Sequence, residues 1–221
     1  GKNANLLLPG SGSWFVLGGV ITDAVLPVGQ PVDDGCGACR RCIDACPTGA
    51  IIEPGVVDAR RCLAWVMQKP GIVDREMRVS IGSRIYGCDD CQEACPPSIR
   101  SARRRSEHID DEIAPDAHID PVDILEMSDA QILDRCGRWY IHDREPRWVR
   151  RNALIVLGNI GDASNPGVRR VIQAALESSD AMVRAHAVWA AARVGCVDLL
   201  PVDDPDDDVR RELHSLPPPR G

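Results

Sequence analysis

The spacing of ten cysteines constrains this 221-residue chain more than any other feature. Eight of them fall inside one 60-residue window, at 36, 39, 42, 46, 62, 88, 91 and 95, while Cys136 and Cys196 stand apart. The first group reads Cys36-x2-Cys39-x2-Cys42-x3-Cys46-Pro47. Three thiolates at that spacing reach three corners of one [4Fe–4S] cube, and the fourth lies too far round the loop and ligates a different cluster. A partner run is therefore required. Cys39, Cys42, Cys46 and Pro47 recur 49 positions later as Cys88, Cys91, Cys95 and Pro96. Cys36 has no such counterpart, because Ile85 stands there, and Cys62 in DARRCLAW is the unassigned thiol between the runs. The expected ligand sets are Cys36, Cys39, Cys42 and Cys95 for one cluster, and Cys46, Cys62, Cys88 and Cys91 for the other. Two four-thiolate zinc sites are the competing reading, since they also use eight sulfurs. A run closed by x3-Cys-Pro suits a cube better than a tetrahedron, and a secreted disulfide framework does not need this spacing. Cys136 and Cys196 read as small buried thiols.

Two cubes joined by exchanged ligands lie close together and pass single electrons at low potential, tuned by hydrogen bonds and burial around the sulfurs. Other chemistries lack support. The five histidines show no HxxxH or HxH pairing, and there is no GxxxxGK[ST] loop or GxSxG elbow. No run approaches the ~18 apolar residues of a membrane span. The start, GKNANLLLPGSGSWF, does not read as a secretory signal, and it opens on Gly rather than Met, as a processed chain or a fragment does.

Net charge is −7, which as an average disfavours nucleic acid, but the charges come in blocks. Four Arg lie between Arg100 and Arg105, nine acids without a Lys or Arg lie between Glu107 and Asp129, and six Arg against two acids lie between Arg135 and Arg151. The acidic block lacks calcium-loop spacing and reads as a linker.

The C-terminal part repeats. WVRRNALIVLGNIG (148–161) aligns without a gap on MVRAHAVWAAARVG (182–195) at a spacing of 34. Apolar residues recur at three and four, and Gly161 and Gly195 are helix stops. PGVRRVIQAAL (166–176) supplies a helix between them, and the pattern starts again at Asp208–Arg211. HEAT-type helical pairs stacked in a short solenoid are expected. Arginines recur near the helix starts: Arg147, Arg150, Arg151, Arg169, Arg170, Arg184 and Arg193. They read either as an ordinary salt-bridged face or as a ridge that contacts phosphates.

The expected fold is α+β: a two-cluster ferredoxin-like domain at 31–100, an acidic linker at 101–130 and an all-α HEAT-like repeat at 131–221. The combination of interlocked runs, CPTGAI, DARRC, GxRIYGCDDCQ and helical repeats resembles the epoxyqueuosine reductase family. GKNANLLL and GSWFVLG are similar to that family's GKHTLLL and GSWFFLG, which close a cobalamin-binding domain. The resemblance implies that residues 1–30 end such a domain, the rest of it lying upstream of Gly1 together with the proton donor. The chain departs from the family's wording at Leu63–Gln68 and at Pro97–Ser98. What the resemblance implies is a cytoplasmic oxidoreductase that reduces epoxyqueuosine in tRNA, the last step of queuosine formation. Electrons from an external donor pass through two [4Fe–4S] clusters to a corrin. Corrin-facing positions by the same resemblance are Gly1, Gly12 and Phe15, although Gly12 reads equally as a turn residue and Phe15 as core. Arg147, Arg150, Arg151 and Arg184 would hold the tRNA anticodon stem-loop. The alternative is a ferredoxin-type electron carrier with a HEAT docking domain and no catalysis of its own.

Overall fold

Short helical turns around the cysteines give way to longer amphipathic helices toward the C-terminus, as the change in sequence period implies. A computed structural model describes residues 1–32, 35–106 and 118–217. In chain order these form α1 (Arg41–Asp44), the strands β1 (Ile51–Glu53) and β2 (Val56–Val57), α2 (Leu63–Gln68), α3 (Arg75–Ile81), α4 (Asp90–Glu93) and α5 (Pro96–Ser106). There follow α6 (Pro121–Glu126), α7 (Asp129–Arg135), α8 (Arg147–Ile160), α9 (Pro166–Leu176), α10 (Ala181–Val194) and α11 (Asp207–His214). One compact unit carries Gly1–Ala59 and the chain from Asp89 through the second cysteine run; the other carries Arg60–Cys88 and the C-terminal helices. The 31–100 stretch expected as one ferredoxin-like domain is thus shared between the two units.

In the first unit the 49-residue cysteine repeat is also a repeat of backbone conformation. α1 and α4 are each four residues long and 49 positions apart, and they pack on each other. Their caps match: Arg40 and Asp89 sit at φ/ψ of −125°/5° and −112°/9°, Ala45 and Ala94 at −81°/−12° and −76°/−11°. Each turn closes with the cysteine N–H donating three residues back, Cys46 to Ile43 and Cys95 to Gln92. β1 and β2 pair antiparallel, Ile51 opposite Val57, around Gly55 at φ +81°. A left-handed turn of that kind suits a residue without a Cβ. Residues 16–32 carry no helix or strand, and Val16, Ile21, Val25 and Val28 are fully exposed.

The second unit is built on α8. Helix ends follow the sequence signals: Asp120 and Asn165 accept N–H bonds ahead of Pro121 and Pro166, Ser128 and Gln131 form a capping box, and Gly195 ends α10 at φ +87°. α10 packs on α8, α9 and α11, while α6 packs on α8 and α9. Residues 120–126, expected within the linker, therefore belong to the helical core; 107–117 of that stretch lie outside the described residues. Where α8 and α10 cross, a Cβ on Gly158 would sit 2.3 Å from Trp189, so glycine permits this close approach. α2 and α3 pack on α8 and add Leu63, Val66, Met67, Val73, Ile81 and Ile85 to the apolar core. Ile85, which replaces the missing cysteine of the repeat, is buried there. Cys136 and Cys196 are buried as expected, and burial pushes both thiols up.

Polar side chains knit this core. The Arg78 guanidinium, buried on α3, donates to Glu212 of α11 at 2.7 Å and to the Val73 carbonyl at 2.8 Å. Arg75 joins the same carboxylate at 2.5 Å. Asn159 of α8 donates to the carbonyls of Arg78 and Gly82, which end α3. Among the described residues no helix is long and apolar enough to cross a membrane.

Candidate functional site

Four of the predicted ligands meet in the first unit. Cys36, Cys39, Cys42 and Cys95 line one cavity of about 170 Å³, together with Lys2, Arg41 and Arg100. Local structure explains the convergence. Cys39 N–H donates to the Cys36 carbonyl and tightens the first loop, Cys42 rides on α1, and Cys95 precedes α5, whose Ile99 N–H takes its carbonyl. Burial raises the Cys42 thiol, and the neighbouring Cys95 and Cys36 raise it further against the backbone N–H groups of Cys42 and Ile43. Thiolates crowded in this way repel, and cationic iron between them offsets that cost.

The geometry also bears on zinc. A single tetrahedral zinc at Zn–S of about 2.3 Å draws four sulfurs to within about 3.8 Å of each other. Among the described residues no three His, Cys, Asp or Glu side chains are grouped so as to hold one metal ion.

The second set is divided. Cys46 and Cys91 belong to the first unit; Cys62 and Cys88 belong to the second. Burial raises the Cys46 thiol, but the N–H groups of Thr48, Ala50 and Ile51 and the Thr48 hydroxyl outweigh it, so the net shift is downward. The Ala50 N–H lies 3.2 Å from Cys46 Sγ. That N–H···S bond favours the thiolate form of Cys46. Cys62 opens α2, its carbonyl accepting from Val66, and Cys88 packs against the apolar core of the helical unit.

Three residues missed in the sequence reading hold the cysteine runs. Lys2 Nζ donates to the Gly37 and Cys39 carbonyls at 2.6 and 3.0 Å. Asn3, buried, donates to the Cys91 carbonyl at 3.3 Å, and Ser13 Oγ donates to Gln92 and shares a hydrogen bond with Ser98. Their only sequence signal is polarity beside the apolar LLL, which does not say what they hold.

The three corrin-facing positions do not share one hollow. Gly1 lines the cysteine cavity, and Phe15 lines a groove with Asn5, Leu6 and Gln92. Gly12, at φ +71°, is pressed against α5, with a Cβ placed 2.7 Å from the Ser98 Cα.

Nor do the four arginines form one ridge. Arg151 is fully buried and donates to the carbonyls of Met67, Lys69 and Gly71 at 2.7–2.8 Å. It caps the end of α2, and its expected role as a phosphate contact is corrected on that ground. Arg184 lies mostly under Asp204, which it grips with two nitrogens, and Arg150 donates to Asp129 and the Met127 carbonyl. Arg147, the most exposed of the four, pairs with Asp180 at 2.7 Å.

Residues 35–98 match the 4Fe-4S double cluster binding domain family, and residues 138–216 match the HEAT repeats family. Epoxyqueuosine reductase of Bacillus anthracis is 34% identical over 97% of the chain. The chain belongs to the epoxyqueuosine reductase family. The solved epoxyqueuosine reductase of Streptococcus thermophilus superposes on 97% of it with a TM-score of 0.80 and 31% identity. A crystal structure of epoxyqueuosine reductase with a tRNA-Tyr epoxyqueuosine-modified stem loop superposes on 96%, with a TM-score of 0.78 and 27% identity. The chain spans a little over half the length of these epoxyqueuosine reductases, 57% of the Bacillus anthracis protein and 58% of each solved chain.

Proposed function

We propose that this chain is the electron-supplying and RNA-facing portion of an epoxyqueuosine reductase, working in the cytoplasm on epoxyqueuosine in tRNA. The observation that carries the reading is the cavity shared by Cys36, Cys39, Cys42 and Cys95, three of them from one run and the fourth from the other. Two [4Fe–4S] clusters, held by that set and by Cys46, Cys62, Cys88 and Cys91, supply one-electron transfer when bound. The protein's part is to present thiolates and to tune them. The N–H donors on Cys46 stabilise the electron-rich state of whatever iron it holds, and Lys2 and Asn3 keep the two runs in register. An external one-electron donor feeds the clusters.

The corrin implied by the resemblance is proposed for the whole enzyme rather than for these residues, because Gly1, Gly12 and Phe15 do not converge. For RNA, Arg147, Arg150 and Arg184 are the proposed phosphate contacts, and Arg151 is not. The solved relative with a tRNA stem loop supports RNA as a partner. Arg147 and Asp180 are half-buried and joined at 2.7 Å, so a phosphate at Arg147 takes the place of this carboxylate.

The test is anaerobic reconstitution followed by iron and sulfide analysis. About eight irons are expected per chain, falling to about four in Cys95→Ser and in Cys62→Ser. Zinc without iron, or a Cys62→Ser protein with its full iron, overturns the ligand sets. An anticodon stem-loop that binds with steeply salt-dependent affinity supports the reductase; reducible clusters without any band shift favour the electron carrier.

A further inference from the structure

The first cysteine cavity has a charge pattern opposite to that of the whole chain. Among the described residues its wall includes Lys2, Arg41 and Arg100 and no acidic side chain, in a protein of net charge −7. The Lys2 ammonium is fixed on the ligand loop itself, 2.6 Å from the Gly37 carbonyl and 3.0 Å from that of Cys39. Arg41 adjoins Cys42 in sequence and stands exposed at the same cavity. Cys46 of the second set is served differently, by neutral N–H and O–H donors.

We propose that Lys2 and Arg41 form a cationic collar that raises the reduction potential of a cluster bound by Cys36, Cys39, Cys42 and Cys95, so that an added electron rests there rather than on the second cluster. The inference presupposes the cluster binding proposed above. A [4Fe–4S]²⁺ core with four thiolates carries charge −2 and reaches −3 on reduction. One electron enters, and no bond or proton moves. Nearby cations favour the more negative state. A unit charge about 12 Å away at an effective dielectric of about 20 shifts the reduced-to-oxidised ratio by roughly tenfold. For a one-electron couple, tenfold corresponds to 59 mV. Lys2 is suited to this role because the segment keeps a separate anchor, the Asn3 bond to the Cys91 carbonyl, when the charge is removed.

The experiment uses the full chain, reconstituted anaerobically, as wild type, Lys2→Met, Lys2→Arg and Arg41→Gln. Each is titrated with dithionite as the one-electron reductant through redox mediators, and the reduced cluster is followed by electron paramagnetic resonance. Lys2→Met is expected to lower the reduced fraction of one cluster about tenfold at a fixed potential, Lys2→Arg to restore it, and Arg41→Gln to move it the same way as Lys2→Met. A purely mechanical role for Lys2 changes iron content or melting temperature and leaves the potential where it was. Fully loaded Lys2→Met and Arg41→Gln proteins with wild-type potentials overturn the proposal. If Lys2→Met does not load, Arg41→Gln decides alone, because the substitution keeps the Arg41 carbonyl that accepts from Ala45 N–H, and among the described residues no hydrogen bond of the Arg41 side chain holds the loop. Wild-type protein that takes up no iron and sulfide overturns the cluster reading instead, a distinguishable result.

Discussion

Replacing Arg151 by methionine separates a buried structural arginine from an RNA-binding one. The guanidinium gives three charge-assisted bonds of 2.7–2.8 Å to the carbonyls of Met67, Lys69 and Gly71. Such bonds are worth ~1.5–3 kcal/mol each, roughly 5–9 kcal/mol together. Burial takes part of this back. It pushes the Arg151 pKa down to about 10 from an ordinary 12.5, with Arg78 adding to the fall, a penalty of about 3 kcal/mol. The net loss expected in Arg151→Met is then roughly 2–5 kcal/mol. Met67 keeps one partner, Asn152 at 3.0 Å, while Lys69 and Gly71 lose theirs. In urea, with a slope of about 2 kcal/mol per molar, the midpoint should fall by about 1–2.5 M. Tryptophan fluorescence reads this directly, since Trp148 and Trp189 lie in the same core. Arg147→Met is the control: its half-buried pair with Asp180 holds no carbonyl of the α2 end, and a smaller loss of about 1 kcal/mol is expected. Should both variants unfold at the same urea concentration, the capping role assigned to Arg151 is refuted.

His186 is fully buried, its Nδ1 set on the Met182 carbonyl and its Nε2 accepting from Val73 N–H. Burial, then Arg78 and Arg151, hold its pKa well below 6.5. The unfolded chain therefore takes a proton that the folded one refuses. Stability should fall by up to about 1.4 kcal/mol per pH unit below pH 6.5, and acid denaturation of His186→Gln should show a shallower slope. Glu212→Gln leaves the buried Arg78 without its anion and should cost ~3–5 kcal/mol in thermal or urea unfolding. Gly158→Ala forces a methyl into the Trp189 ring at 2.3 Å and should destabilise by ~1–3 kcal/mol, with Trp189 fluorescence altered before unfolding begins.

The readable parts of the sequence were those governed by local rules. The helix stops at Gly161 and Gly195 follow from capping chemistry, and they end α8 and α10. The 49-residue period of the cysteines is also the period of the paired turns α1 and α4. Side-chain commitments across long separations were harder to read. A run of arginines near helix starts looks like one face, but at 100° per residue Arg150 and Arg151 point apart. Arg151 shares its stripe with Leu154, Ile155 and Gly158, all buried, and that stripe was the available clue. Lys2, Asn3 and Ser13 carried no such clue, because their partners are backbone carbonyls and side chains 35 to 88 positions away. Nor does any local pattern announce that Arg60–Cys88, lying between the cysteine runs, packs with the repeat helices.

The first cavity draws its fourth wall from Cys95, which follows Cys42 by 53 positions. At ribosomal speeds of ~5–20 residues per second, the leading three thiols emerge about 3–11 s before the last. Iron captured in that interval has an open corner exposed to dioxygen. Nascent chains are thus best served by an assembly machinery that withholds metal until translation has passed the second run.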